Sequence, residues 1–283
     1  MTKKTAPPHD ASPNEDRYTV PGLARGLQVL LQFTRQEREL SGAELSRRLG
    51  LPRASVFRML YTLEQGGFLE RADDGTSYRL GLSVLRLGFE LLASMDLTEL
   101  GHPVIEELRD RCGYSSHLVV RDAREVVFVA KVPGRNAMFH SIQVGARLPA
   151  HATVLGRILL SGLSMAELKA LYPESKLQAF TPKTPANLKA LMALIEQDQQ
   201  KGYGLSMGGF ETGISTIAAP VFNSQGQVTA AISITVPSAR IEDNAVEPLA
   251  EMVRASAQQL SERLQHSPNR SGWPVPPPHT QTS

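Results

Sequence analysis

The stretch Ser41–Gly66, SGAELSRRLGLPRASVFRMLYTLEQG, restricts the fold more than any other part of the chain. Ser41 stands as N-cap of a first helix, with Glu44 three residues on, the spacing of a capping box. Leu45 and Leu49 are i,i+4 neighbours on its inner face. Gly50 supplies the turn, and Pro52 restarts a helix at its first position, where a missing N–H costs nothing. In the second helix Val56, Leu60 and Leu63 share one face, while Arg53, Ser55, Arg58 and Thr62 fall elsewhere. Two helices joined by a tight turn, the second with its N-terminal side chains free, make a helix-turn-helix whose second member lies in a DNA groove. The competing reading is an ordinary solvated helical pair.

Charge favours the DNA reading. From Ser41 to Thr62 there are four arginines (Arg47, Arg48, Arg53, Arg58) against one acid, Glu44, and no lysine occurs between Thr5 and Ala130. The guanidinium fork suits phosphate oxygens and guanine edges better than a lysine point charge does. The 283-residue chain carries a net charge of only +2, so a nucleic-acid footprint has to be local. The length suggests about two domains. A single cysteine, Cys112, excludes an internal disulfide and a multi-cysteine zinc site. Met1–Arg17 lacks the apolar core of a signal peptide, and no apolar run reaches membrane-span length, so a cytoplasmic protein without membrane contact is expected.

Residues 1–18 read as a disordered tail and 19–81 as the DNA-binding domain. Within that domain Leu23–Phe33 is a covering helix, and Phe68–Arg71 and Tyr78–Leu80 form a hairpin around Asp73-Asp74-Gly75-Thr76. A hairpin directly after the second helix is a wing, and Arg71 and Arg79 on it could hold the DNA backbone; a plain hairpin closing a small core fits equally well. Residues 82–96 read as a linker helix, Leu82–Ser94, with a domain junction near Met95. Residues 97–264 alternate strand pairs (His117–Arg121, Glu125–Val132, Phe139–Val144, Ile214–Phe222, Val228–Val236) with helices (Thr98–Cys112, Ala152–Ser161, Ala166–Leu171, Pro185–Lys201, Glu242–Leu264), an α+β domain with a mostly antiparallel sheet. Residues 265–283 read as a second disordered tail.

Val228–Val236 is the informative strand. Val228, Ala230, Ile232, Ile234 and Val236 point one way, and Thr229, Ala231, Ser233 and Thr235 the other. The second face carries small residues and hydroxyls in place of the charges of a solvated face, and Thr216 and Ala218 repeat this on the neighbouring strand. Such a face lines a ligand pocket or lies under a closely packed helix. Leu148–Thr153 leads into a helix whose exposed N–H groups could receive an anion, with His140, Arg147 and His151 nearby in sequence. Enzyme signals are poor: Met207 breaks the GxGxxG spacing begun by Gly202 and Gly204, and there is no Walker A, SxxK or HExxH. No catalytic residue, metal site or cofactor is expected.

The segments ARGLQVL (Ala24–Leu30), ELSRRLGLPRASVFRMLYTLEQGGFLER (Glu44–Arg71) and YRLG (Tyr78–Gly81) resemble the DNA-binding domain of the IclR family of bacterial transcriptional regulators. VGARLPAHATVLGRILLSGLS (Val144–Ser164) and IAAPVFNSQGQVTAAISITVP (Ile217–Pro237) resemble that family's effector-binding domain. The resemblance implies a multidomain fold, an N-terminal winged helix-turn-helix, mainly α, with a linker helix and a C-terminal α+β GAF-like domain. It implies homodimers, or dimers of dimers, on a double-stranded DNA operator. Positions matching the family's pocket are His140, Val154, Leu155, Ile214, Thr216, Ser233 and Thr235. FHSIQVGARLPAHAT looks closer to regulators of aromatic-acid pathways than to the glyoxylate-pathway regulator, although Met207-Gly208-Gly209-Phe210 replaces the acidic stretch that many members carry before the position of Glu211. The expected protein is a regulator that senses a small carboxylated effector, with Arg53, Ser55, Arg58 and Thr62 at the groove and Arg47, Arg48, Arg71 and Arg79 at phosphates or on the wing. The rivals are an architectural DNA binder whose C-terminal domain only oligomerises, and an enzyme fused to a DNA-binding domain.

Overall fold

The computed structural model describes residues 19–93, 96–134, 142–237 and 241–266. The tail expected over 1–18, Ser94 and Met95 at the expected junction, residues 139–141 of the expected third strand (His140 among them) and residues 267–283 lie outside the described residues. The chain divides into two units between Leu91 and Leu92.

In the first unit, α1 (Pro21–Leu30), β1 (Leu40–Ser41), α2 (Gly42–Leu49), α3 (Arg53–Gln65), β2 (Leu69–Arg71), β3 (Ser77–Leu80) and α4 (Leu82–Ala93) follow in order. Ser41 caps α2, its Oγ accepting from the Glu44 N–H at 3.2 Å. The expected capping box is only half made, because the Glu44 carboxylate turns to Arg47 (2.7 Å) and Arg48 (2.6 Å) instead. Bonds between two charged groups are stronger than a bond to a neutral N–H. Gly50 ends α2 at φ +64°, the left-handed conformation glycine adopts without strain. Pro52 then lies one residue outside α3 as its N-cap, its carbonyl accepting from Ser55 and Val56. Val56 and Leu60 on α3 bury against Val29, Phe33, Leu40, Leu45, Leu69 and Tyr78. The wing forms as expected, β2 and β3 pairing antiparallel, while the two-residue β1 on the far side of β3 is too short to leave an alternation in the sequence. In the wing turn Asp74 Oδ1 accepts from the N–H groups of Ser77 (2.7 Å) and Thr76 (2.8 Å), which hold its carboxyl down at about 2.

The second unit contains α5 (Asp96–Cys112), β4 (Ser115–Asp122), β5 (Glu125–Val132), β6 (Arg147–Pro149), a 3-10 turn (Ala150–Ala152), α6 (Val154–Leu160), α7 (Met165–Leu171), α8 (Leu188–Lys201), β7 (Gly204–Met207), β8 (Ser215–Phe222), β9 (Val228–Val236) and α9 (Asp243–His266). Among the described residues the third strand of this unit is β6; residues 142–144, the described part of the expected Phe139–Val144 strand, lie outside any strand, and Gly145 turns the chain at φ +84°. The helix expected over Ala152–Ser161 breaks at Thr153, whose Oγ1 caps α6 by accepting from the Gly156 N–H at 3.0 Å. Residues 265 and 266, placed in a tail by the sequence, continue α9.

The sheet runs β6-β5-β4-β9-β8-β7 with every neighbour antiparallel. One face packs on α5 and α9 through Ile105, Leu108, Ile232, Ile234, Val253 and Leu260. The other packs on α6 and α8 through Val119, Phe128, Ala218, Ala231, Leu155, Ile158 and Leu191. Bulges shift both hairpins: Val129 is an extra residue opposite Leu118/Val119, and Thr229 an extra residue opposite Val221/Phe222. The second bulge corrects the alternation expected for β9, because Val228 packs with the α6 face and not beside Ala230. On α6, Arg157 is buried; its Nε donates to Asp198 Oδ2 of α8 at 2.6 Å and its Nη2 to the Leu205 carbonyl of β7 at 3.1 Å. That pair ties the two covering helices to the edge strand.

Candidate functional site

In the first unit the arginines fall into two sets. Arg48 is clasped by Glu37 and Glu44, Arg47 by Glu44, Arg71 by Glu64, and Arg79 by Glu70. Arg53 and Arg58, both exposed on α3, make no ion pair among the described residues. Thr62 is exposed one turn beyond Arg58 and returns its Oγ1 hydrogen to the Arg58 carbonyl at 2.8 Å. Ser55 is partly buried near the start of α3. The sequence reading passed over Phe57 and Tyr61, which are 59% and 55% exposed. Phe57 and Tyr61 are i,i+4 neighbours and Arg58 and Tyr61 i,i+3 neighbours on the helix surface. Large apolar side chains left in water on a cationic face are the signal that could have found them.

In the second unit, two rows of cross-strand partners floor a cavity of about 450 Å³. Ser206, Thr216, Thr235 and Ser115 stand opposite one another across β7, β8, β9 and β4, and all four line it. One step of two residues along each strand, hence on the same face, lie Gly204, Ala218, Ser233, His117 and Lys131. His117 and Lys131 of this second row also line the cavity. The walls are apolar: Phe128, Ile142, Leu148, Val154, Leu155, Phe210 and Ile214. Lys131 is the one Lys or Arg, and Glu211 the one carboxylate, among the lining residues. His117 is 3% exposed and meets the Phe128 ring edge-on at 5.4 Å. Burial, and then the nearby Lys131 charge, push its pKa down to about 4, so the imidazole is neutral at pH 7.

Of the positions expected to form a pocket, Val154, Leu155, Ile214, Thr216 and Thr235 come together at the cavity. Ser233 sits in the second floor row, fully buried and outside the lining itself. Arg147 and His151, expected beside the start of the helix, are held by other partners. Arg147, on β6, is engaged by Glu125 (2.5 Å) and Asp122. His151 Nε2 bonds the Gln178 carbonyl at 2.9 Å, its ring between Tyr172 and Phe180. Neither lines the cavity, and Thr153 already serves the Gly156 N–H. His117, Lys131, Ser115 and Ser206 escaped the sequence reading. The extra residue Val129 brings Phe128 and Lys131 to the same face of β5, and β7 is four residues of mixed character. The hydroxyls of β9 were the visible part of a row that needs the strand order to be seen whole. The same face answers both readings of those hydroxyls: Ala231 packs under α6, and Thr235 opens on the cavity.

Two family descriptions fit these two units. Residues 22–73 match the IclR helix-turn-helix domain, and residues 89–262 match the bacterial transcriptional regulator IclR C-terminal domain. The chain belongs to the IclR family of transcriptional regulators. It is 32% identical over 245 residues to the HTH-type transcriptional regulator XynR of Escherichia coli, covering 87% of this chain and 97% of that one. Among solved structures, a transcriptional regulator from Rhodococcus superposes with a TM-score of 0.76 at 32% identity, over 87% of this chain and 98% of that one. An IclR homologue from Microbacterium hydrocarbonoxydans, solved in complex with 4-hydroxybenzoate, gives 0.76 at 28% identity over 87% and 100%. This IclR-family protein is therefore a DNA-binding transcriptional regulator and not an enzyme. No helix among its described residues is long and apolar enough to cross a membrane.

Proposed function

We propose that this regulator reads DNA with the exposed face of α3 and senses a small carboxylate in the cavity of its second unit. The observation carrying the first part is that Arg53 and Arg58 make no ion pair among the described residues, whereas the arginines on α2 and the wing are already held by glutamates. Arg53, Ser55 and Arg58 then face base edges, with Thr62 beside them and Phe57 and Tyr61 against thymine methyls, for which apolar side chains are suited. Arg47, Arg48, Arg71 and Arg79 contribute to phosphate contacts only as far as their glutamate partners release them.

The second part rests on the cavity's make-up. Apolar walls take a ring or chain, the hydroxyl floor orients it, and Lys131 supplies a positive charge for a carboxylate. The 4-hydroxybenzoate held by the structural relative agrees with an aromatic acid. A cavity of about 450 Å³ counts against a C-terminal domain that only oligomerises. Leu23, Leu27 and Leu31 on and just after α1, and Leu82, Leu85 and Leu87 on α4, are each more than half exposed, which supports a homodimer, or a dimer of dimers, joined through these leucines. A residue stretch around α4 would then act as the linker helix. A thermal-shift screen of aromatic and aliphatic carboxylates tests the effector reading. A ligand held only by the folded state raises the melting temperature, with ~2.7 kcal/mol gained at a hundredfold excess over Kd. No shift with any carboxylate would refute it.

A further inference from the structure

The second unit has another cleft, of about 730 Å³, where the end of α8 and the β8–β9 turn meet α9. It opens because β7 pairs with β8 only from Ser215 to Ala218, which leaves Ala219–Phe222 without a strand on that side among the described residues. That edge is blunted against an added strand. Pro220 has no N–H to give, and the N–H of Phe222 donates to Ser261 Oγ of α9 at 2.9 Å. Ile158, Ala219, Pro220, Phe222 and Val228 supply apolar surface, and Glu251, Arg254, Ala255 and Gln258 line the cleft from α9. These last four recur at i, i+3, i+4 and i+7, a single stripe of the helix. Arg254 uses its terminal nitrogens, donating to the Lys201 carbonyl at 3.3 Å, Glu247 at 2.8 Å and Glu251 at 2.5 Å. Its Nε is buried with no hydrogen-bond partner among the described residues, a donor of the kind native proteins seldom leave unanswered.

We infer that this cleft is the docking site of the chain's own C-terminal segment Trp273-Pro274-Val275-Pro276-Pro277-Pro278, which follows α9 in the sequence. Segments this rich in proline favour the polyproline II helix, whose carbonyls make no internal hydrogen bond. Such a segment binds in an apolar groove without needing a ladder, which suits an edge that cannot take a strand. The Trp273 indole lies on the apolar surface with its N–H towards the glutamates of α9, and the prolyl carbonyls are acceptors for Arg254. The reach suffices. Ala255 lies about 16 Å back from His266 at about 1.5 Å per helical residue, and residues 267–273 can span about 23 Å when extended. Pro268 cannot continue the helix, and Asn269 and Gly272 suit a reversal of the chain. Charge agrees as well: Ser267–Ser283 contains Arg270 and no acid, whereas Glu247, Glu251 and Glu262 stand on α9. The docked segment is a latch across the end of α8, the open edge of β8 and α9.

Trp273 is the one tryptophan of the chain, so its fluorescence reports on the segment directly. The test compares the full-length protein with a synthetic peptide of residues 267–283. In the protein the emission should lie to the blue of the peptide's, and acrylamide should quench it a few-fold less. Ala255 is exposed and lines the cleft, so Ala255→Arg obstructs the site without disturbing a core. In that variant emission and quenching should return to the values of the peptide. Should Ala255→Arg fail to fold, the comparison of wild type with the peptide decides alone. Emission and quenching equal to the peptide's in the wild-type protein overturn the proposal. A blue shift that survives in folded Ala255→Arg places the indole elsewhere and overturns it too. A blue shift lost on dilution gives the cleft to the tail of a second copy, which overturns docking within one chain.

Discussion

The exposed face of α3 and the cavity of the second unit solve recognition in opposite ways. On α3 the recognising groups are charged, exposed and unpaired, so water keeps them soluble until a partner arrives. In the second unit His117 and Ser233 are neutral, buried and hold polar atoms without a hydrogen-bond partner among the described residues, and their cost is carried by the apolar layers on both faces of the sheet. Charge in water is cheap, and an unpaired polar group out of water is not. The first surface therefore tolerates substitution with little effect on folding. The second couples what it binds to how stable it is.

The sharpest way to break that contrast is the ion pair Arg157–Asp198, where both partners are about one-tenth exposed. Asp198→Ala would leave a buried guanidinium uncompensated and should cost ~3–5 kcal/mol in urea denaturation of the second unit. Glu70→Ala, which removes the exposed partner of Arg79, should be indistinguishable from wild type in urea denaturation of the first unit. Equal losses in the two variants would mean that burial does not separate the two regions.

His117 gives the next effect. Its folded pKa lies below its unfolded one, so the folded state resists binding the proton. Its contribution is intact above pH 6.5 and is lost as the pH falls from there towards 4. The shift from 6.5 to about 4 is worth ~3 kcal/mol by linkage. Denaturation midpoints measured from pH 7.5 to 4 should fall more steeply in wild type than in His117→Phe. Parallel profiles would show that the imidazole is solvated.

How much of this was readable in the sequence follows from the same contrast. A helix writes its faces at a fixed period, so the caps, the turn and the unpaired arginines of α3 were legible, as was the wing from its Asp-Asp-Gly turn. Glu44 reads as a cap partner, and only the folded packing shows it bound to Arg47 and Arg48. A sheet face is written across strands far apart in the chain. The alternation in β9 exposed Ser233 and Thr235, but pairing them with His117 and Ser115 needs the order β4-β9-β8-β7. Lys131 needs the bulge at Val129 as well. Arg147 and His151 stood close in sequence to the right helix and are held by other partners.

Smaller effects separate the arginines. Arg58→Ala should weaken binding to a selected duplex by about 1–3 kcal/mol, with loss of discrimination at one base position. Gel-shift titration against single-base variants of the duplex measures both. Arg79→Ala, already neutralised by Glu70, should change the affinity by less than about threefold. A larger loss for Arg79 than for Arg58 would transfer the reading role from α3 to the wing.

The central claim, that the cavity governs DNA binding, is tested most directly by one titration. The full-length protein is bound to a duplex selected from a random pool, with and without saturating amounts of the carboxylate giving the largest thermal shift. A ligand that distinguishes two states should change the DNA Kd by about 5–150-fold, and Thr235→Val should raise the concentration of acid required without altering the ligand-free Kd. A carboxylate that saturates the cavity and leaves the DNA Kd unchanged would contradict the account.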